Sequence, residues 1–287
     1  MTGSSSNLTA GEQEARTRPL KILELGAGTG VLSSLVVSHP ALCSGSPSSS
    51  SALGSRSSAS TRLTWVATDQ GEVLDLLRRN VAATTERIER RCQSQSQSQG
   101  GEAGVELLAR ELDWMEVLAL ERRGDERTRR SMRQLRHAVL SSEKNATDAT
   151  AEDAEDDDYP DLILAIDCIF NPALFPAFLA TLRLFASPPP SASASTASTP
   201  TSKMHGSKYE ALRTTTRTTT QVLIACELRE VDMMRAFLEA WCAPTGQHPG
   251  WDIVCWHGGE DSTDEGVGLG PGFVLWLATP RAYSACS

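Results

Sequence analysis

The run Lys21–Ser34, K-I-L-E-L-G-A-G-T-G-V-L-S-S, constrains this chain more than any other stretch. Lys21–Leu25 is a short apolar segment ending in a glycine cluster, and apolar pairs then recur at helical spacing, Val31/Leu32 and Leu35/Val36. Strand, tight glycine turn, helix is the order in which an α/β protein brings its main chain against a nucleotide-like ligand. Without a Cβ, Gly26, Gly28 and Gly30 can take positive φ and let a ligand pack on the backbone. The first amides of the helix then face that ligand.

The glycine spacing is G-x-G-x-G, whereas a dinucleotide fingerprint reads G-x-G-x-x-G and would need glycine where Val31 stands. Glu24 lies two residues before the first glycine. An acid there can accept from a cationic amino group, which a pyrophosphate does not offer.

Low-complexity tracts cover roughly a third of the 287 residues, which leaves about 200, enough for one α/β domain. The expected domain spans 20–278, with insertions at 44–61, 92–104, 141–158 and 187–219, a disordered start at 1–19 and a tail at 279–287. A net charge of −9 argues against nonspecific nucleic-acid binding and admits a basic protein partner. Seven cysteines without C-x-x-C, with Cys168, Cys226 and Cys255 in or beside apolar runs, read as buried thiols of a reduced protein. Five histidines without paired spacing suggest no metal site. No stretch approaches the ~20 apolar residues of a membrane span, and the start resembles no signal peptide. The expectation is a cytoplasmic protein, also nuclear, with no membrane partner.

Arg62–Thr68 reads as a second buried strand delivering Asp69 at its carboxyl end, where an acid in a doubly wound sheet accepts from ribose hydroxyls or caps the next helix. Glu72–Arg90 is an amphipathic helix that the S-Q repeat interrupts. Val105–Leu112 is a third strand leading to Asp113-Trp114, a pair suited to an adenine ring and its amine, or to a core cap. Seven arginines in 121–136 read as a solvated helical face rather than an RNA-contacting patch, and Glu152–Asp158 as a solvated tether.

Asp161–Ile166 is the fourth strand, ending in Asp167-Cys168-Ile169-Phe170-Asn171 before a helix opened by Pro172. That helix buries Leu174, Phe175, Phe178, Leu179, Leu182 and Phe185. Gln221–Cys226 is a fifth strand, with Glu227 and Arg229 at its end. A helix face of Val231, Met234, Leu238 and Trp241 follows, and Trp251–Trp256 and Phe273–Leu277 close the chain as a hairpin.

The acid-x-G-x-G-x-G run resembles motif I of the seven-strand S-adenosylmethionine methyltransferases. E-L-G-A-G-T-G, A-T-D-Q with a downstream Asn80, L-D-W at 112–114 and D-L-I-L-A-I-D-C-I-F-N resemble, in order, the protein lysine methyltransferases of that class. D-C-I-F-N together with C-E-L-R-E-V-D-M-M-R-A-F-L-E-A-W is most similar to the fungal ribosomal lysine N-methyltransferase 5 group.

The resemblance implies a doubly wound, mostly parallel seven-strand sheet with a C-terminal antiparallel hairpin. It implies S-adenosyl-L-methionine as cofactor, held by Glu24, Gly26, Ala27 and Gly28 at the methionine end, Asp69 at the ribose, Trp114 on the adenine side and Ile166 at the fourth strand's tip. Asp167 matches the acid of the family's D-x-x-Y motif beside the substrate lysine, and Phe170 stands where that motif has its tyrosine. The implied partner is a protein substrate, a large-subunit ribosomal protein, met by a monomer without direct nucleic-acid contact. Family members carry further N-terminal strands and a cofactor-covering Trp, so the expectation is that the gene product is truncated. Two other readings stay open: a degenerate domain that binds cofactor or protein without turnover, and a nicotinamide oxidoreductase, which the glycine spacing disfavours.

Overall fold

The computed structural model describes residues 19–39, 62–95, 104–142, 159–186, 219–228, 230–245, 248, 250–257 and 272–281. The readings made for 1–18, for the insertion at 44–61, for Glu152–Asp158, for 187–218 and for Arg229 fall outside these residues.

Seven strands make one sheet: β1 (Leu20–Leu25), β2 (Leu63–Asp69), β3 (Val105–Glu111), β4 (Leu162–Ile166), β5 (Gln221–Glu227), β6 (Trp251–His257) and β7 (Phe273–Pro280). Their order is β3-β2-β1-β4-β5-β7-β6. The first five are parallel, and β7 runs antiparallel between β5 and β6. The doubly wound sheet with a closing hairpin expected from the sequence is therefore the fold.

Both faces are covered, which is why β2 is buried from Leu63 to Thr68 and reads as a continuous apolar run instead of alternating. Helices α1 (Val31–Val37) and α2 (Gly71–Gln95) cover one face, where Ile22, Trp65, Leu74, Leu77 and Val81 meet. The other face carries α3 (Trp114–Arg123), α4 (Glu126–Leu140), α5 (Phe175–Phe185) and α6 (Val231–Cys242). Its core joins Leu23, Leu25, Ile163 and Ile224 to an aromatic group of Phe175, Phe178, Phe237, Trp241 and Trp276. Each such ring contributes roughly 1.5–3 kcal/mol on burial.

From β1 the chain steps outward to β2 and β3, then returns to lay β4 against the other side of β1. The carboxyl ends of β1 and β4 thus flank a topological switch point, where open α/β sheets bind ligands.

Several local expectations are corrected. Helix α2 continues to Gln95, into the segment expected as an insertion from 92. On α1 it is Ser33 and Val37 that face inward, while Val31 and Leu35 point to solvent. The arginine-rich stretch is two helices, broken where Gly124 takes a left-handed φ and Asp125 caps the second through the Thr128 amide. Arg136 is buried, its guanidinium 3.9 Å over the Tyr159 ring, so that face is not uniformly solvated. Leu174 lies in a 3₁₀ turn (Pro172–Leu174) and is only half-buried. Phe237 takes the inward position on α6, and Val231 is exposed. Cys168 and Cys226 are buried, but Cys255 is exposed on β6. Strand β7 extends to Pro280, two residues into the expected tail, because Pro280 and Trp251 are register partners.

Candidate functional site

The site begins at the exit of β1. Gly26, Gly28 and Gly30 all have positive φ, 63°, 56° and 74°. At Gly26 a Cβ would lie 3.0 Å from the Cys168 sulfur and 3.4 Å from the Trp114 ring, so the position is packed from below. At Gly28 a Cβ would meet nothing within 4 Å. The backbone there borders open space, and a ligand can lie directly on it.

Hydrogen bonds hold this loop to its neighbours. The Ala27 amide donates to the Thr68 carbonyl at 2.9 Å, and the Thr68 hydroxyl donates to the Glu24 carbonyl at 2.7 Å. The Asn80 side-chain amide donates to the Thr29 carbonyl at 2.7 Å, and Ser33 Oγ donates to the Gly30 carbonyl at 3.0 Å. Asn80 stood out in the sequence only through the resemblance; its work here is to tie α2 to the loop. Thr68 and Ser33 carried no signal, since their partners are set by strand register and by the turn.

Asp69 ends β2 and turns toward the loop. Its Oδ2 accepts from the Gly28 amide at 2.6 Å, and Oδ1 accepts from the Gln70 amide at 2.8 Å. Each carboxylate oxygen keeps a second lone pair for a further donor. Because Gly28 N–H is already taken by a carboxylate, this loop is poorly arranged for a pyrophosphate.

Glu24 lies beneath the loop and is 3 % exposed. Its Oε2 accepts from the Trp65 indole N–H at 2.8 Å. Burial raises its pKa to about 7, with the Asp69 charge adding to the rise and the Trp65 bond opposing it.

Asp167 follows β4 and has φ 54°, a left-handed conformation that Asp tolerates better than most residues. Its amide donates to the Ala225 carbonyl at 2.8 Å, which fixes the turn against β5. The Cys168 thiol donates to the Leu25 carbonyl at 3.2 Å and so joins the exits of β4 and β1. Burial, with the charges of Asp69, Asp167 and Glu24, pushes the Cys168 pKa up to about 12. That thiol is a packing group, not a nucleophile. All three carboxylates act on one sulfur, so they form a cluster.

Around the cluster stand apolar groups. Ile166 is 39 % and Phe170 57 % exposed. Trp114 opens α3 after Asp113, whose Oδ1 caps the helix through the Met115 amide at 2.8 Å. The Trp114 ring lies against Gly26 and packs 5.1 Å from Phe178 at 59°. Glu227 is exposed at the end of β5, opposite Phe273. The structure thus brings Glu24, Gly26, Ala27, Gly28, Asp69, Trp114, Ile166 and Asp167 to one edge of the sheet. Among the described residues no group of His, Cys, Asp and Glu is arranged to hold a metal ion.

Acids, exposed apolar groups and bare backbone at one edge of the sheet suit a ligand that is flat at one end and cationic at the other. No protein-family model matches the chain, and no curated protein matches it. Among solved structures it is similar to the methyltransferase domain of bacterial CtHen1-CN, at 14% identity and TM-score 0.36 over 94% of each chain. It is similar to the CurJ carbon methyltransferase at 12% identity and TM-score 0.35, over 93% of this chain and 49% of that one. A third is the rRNA methyltransferase aviRa from Streptomyces viridochromogenes, at 11% identity and TM-score 0.36, over 94% of this chain and 81% of that one. At these identities and scores none of them bears on what this chain does.

Proposed function

We propose that this chain is an S-adenosylmethionine-dependent methyltransferase acting on a lysine side chain of a protein. The observation that carries the reading is the Asp69–Gly28 contact: a carboxylate occupies the loop amide that a pyrophosphate would need, and leaves free lone pairs for a sugar. The fit rests on the same edge of the sheet, where the acids Glu24, Asp69 and Asp167 lie at the carboxyl ends of β1, β2 and β4 and suit a ligand bearing a sulfonium and an ammonium.

The cofactor would supply a methyl group on a cationic sulfur. Gly26, Ala27 and Gly28 would hold its methionine end against bare backbone, with Glu24 beneath. Asp69 would accept from the ribose hydroxyls, with Trp114 and Ile166 bordering the adenine side. The substrate lysine, with an ordinary pKa of ~10.4, must lose its proton before it attacks. Proximity to a cation beside apolar groups lowers that pKa. Asp167 would orient the amine, and Phe170 would form an aromatic wall without the hydroxyl of the D-x-x-Y pattern. Alignment, rather than covalent help, is what such a displacement asks of the protein. A large-subunit ribosomal protein is the substrate to try first, and the cytoplasm, with the nucleus, is the compartment in which a monomer would meet it.

Calorimetry with S-adenosylmethionine and with NADH tests the cofactor. Binding of the first and not the second is expected, and the reverse would overturn the assignment. Incubation with a methyl-labelled donor and a ribosomal extract tests the reaction. Label recovered on lysine supports it, whereas cofactor binding without transfer means a binding domain.

A further inference from the structure

At the opposite edge of the sheet, α3, α4 and α5 converge on an open cavity of about 140 Å³. The topology separates it from the glycine loop. Helices α3 and α5 start at the carboxyl ends of β3 and β4, and Glu121 and Arg183 sit near their far ends. His248 precedes β6, which runs parallel to β5, so it too lies at the amino edge.

The lining includes Glu121, Thr128, Arg129, Met132, Arg183 and His248. Arg183 gives Nε and one terminal nitrogen to Glu121, both at 2.7 Å, which sets the plane of its guanidinium. Its remaining terminal N–H groups have no bond among the described residues. The His248 ring stacks on Trp251 with centroids 4.7 Å apart, and its Nδ1 accepts from the Gly250 amide at 3.1 Å. With Nδ1 accepting, the ring proton sits on Nε2, leaving that atom a donor. Arg129 reaches Glu126 only at 3.5 Å, with 62% of its side chain exposed.

On α3 and α4, the helices that line the cavity, Arg122, Arg123, Arg127, Arg130 and Arg133 are exposed as well. Arg122 and Arg130 pair with no carboxylate among the described residues. The chain as a whole carries −9, so this face is a concentrated exception to its charge.

We propose that this cavity and the arginine-bearing surface of α3 and α4 form a docking site for an acidic polypeptide segment, one carboxylate meeting Arg129 and Arg183 at the cavity and its neighbours the exposed arginines of the two helices. Planar arginine forks match discrete carboxylates. The described face also presents no exposed aromatic ring for base stacking. The site stands independently of the catalytic reading.

The test is fluorescence anisotropy of the full chain with a labelled glutamate decamer, and with a single-stranded RNA decamer as the competing probe. Arg129→Glu and Arg122→Glu are expected to weaken the glutamate peptide by about tenfold or more. Arg78→Glu on α2, an equal change of charge elsewhere, should leave it unchanged. Thermal unfolding midpoints should hold for all three, because these side chains are exposed. Equal weakening by Arg78→Glu, or none by the first two, overturns the site. Tighter RNA binding lost in the same variants reassigns the face to nucleic acid and overturns the polypeptide. Peptide binding that appears only after Glu152–Asp158 is neutralised makes that tract of the chain the occupant, and overturns an external partner.

Discussion

The Gly28 amide donates to Asp69 Oδ2 at 2.6 Å, a bond spanning 41 positions of sequence. The loop after β1 and the end of β2 are therefore one unit, and the acid that would grip a sugar also shapes the backbone on which the ligand would rest. Glu24, Cys168 and Asp167 belong to the same unit, since the Cys168 thiol bridges to Leu25 and feels all three carboxylates.

Asp69→Ala removes two acceptors from backbone amides and should cost about 1–3 kcal/mol in urea unfolding, the scale of charge-assisted bonds to N–H groups. Cofactor affinity should fall at least about tenfold by calorimetry, since a lost charge-assisted bond costs more than 1.4 kcal/mol. Undiminished affinity would remove Asp69 from the site.

Gly26→Ala and Gly28→Ala separate packing from binding. Both positions are left-handed, so both pay backbone strain of about 1 kcal/mol. Only at Gly26 does the methyl also press on Cys168 and Trp114, and that variant should be the less stable of the two. Gly28→Ala should stay folded and lose cofactor binding, because its methyl fills the space the ligand needs. Equal loss of stability in the two variants would contradict this arrangement.

Glu24 predicts a pH dependence. Its pKa is about 7 in the fold against 4.5 otherwise, so between those values the folded state holds a proton that the unfolded chain has released. Stability from this group is therefore lost as pH rises from about 4.5 to about 7, and the loss is complete above that. Glu24→Gln can still accept from Trp65 and lacks the penalty. Relative to the native chain it should gain on the order of 3 kcal/mol between pH 4 and pH 8, an upper bound before relaxation. Denaturation curves at the two pH values that shift in parallel for both proteins would show that Glu24 ionises freely.

Asp167→Asn keeps a residue at home in the left-handed region and should unfold within about 0.5 kcal/mol of the native chain. Methyl transfer to lysine should nevertheless fall by 10²-fold or more in order of magnitude, with cofactor affinity intact. A variant as active as the native chain would leave Asp167 a turn residue only.

Local periodicity determined the elements. Apolar runs marked every strand to within a few residues, and G-x-G-x-G placed the turn at which backbone and ligand could meet, because those signals depend on near neighbours. The S-Q repeat misled, since Ser and Gln have no strong objection to an established helix, and α2 runs on into them. Helical spacing could not say which side of α1 would be inward; packing against the sheet and α2, which Ser34 meets through the Thr84 hydroxyl at 2.9 Å, left Ser33 buried and Leu35 exposed. Tertiary structure alone brought Asp69 to Gly28, Trp114 to Gly26 and Cys168 to Leu25, and it alone built the cavity that Glu121, Arg129, Arg183 and His248 share. The reason is geometric: a hydrogen bond or a buried charge is set by distances in space, and those exist only once parallel strands have taken their register.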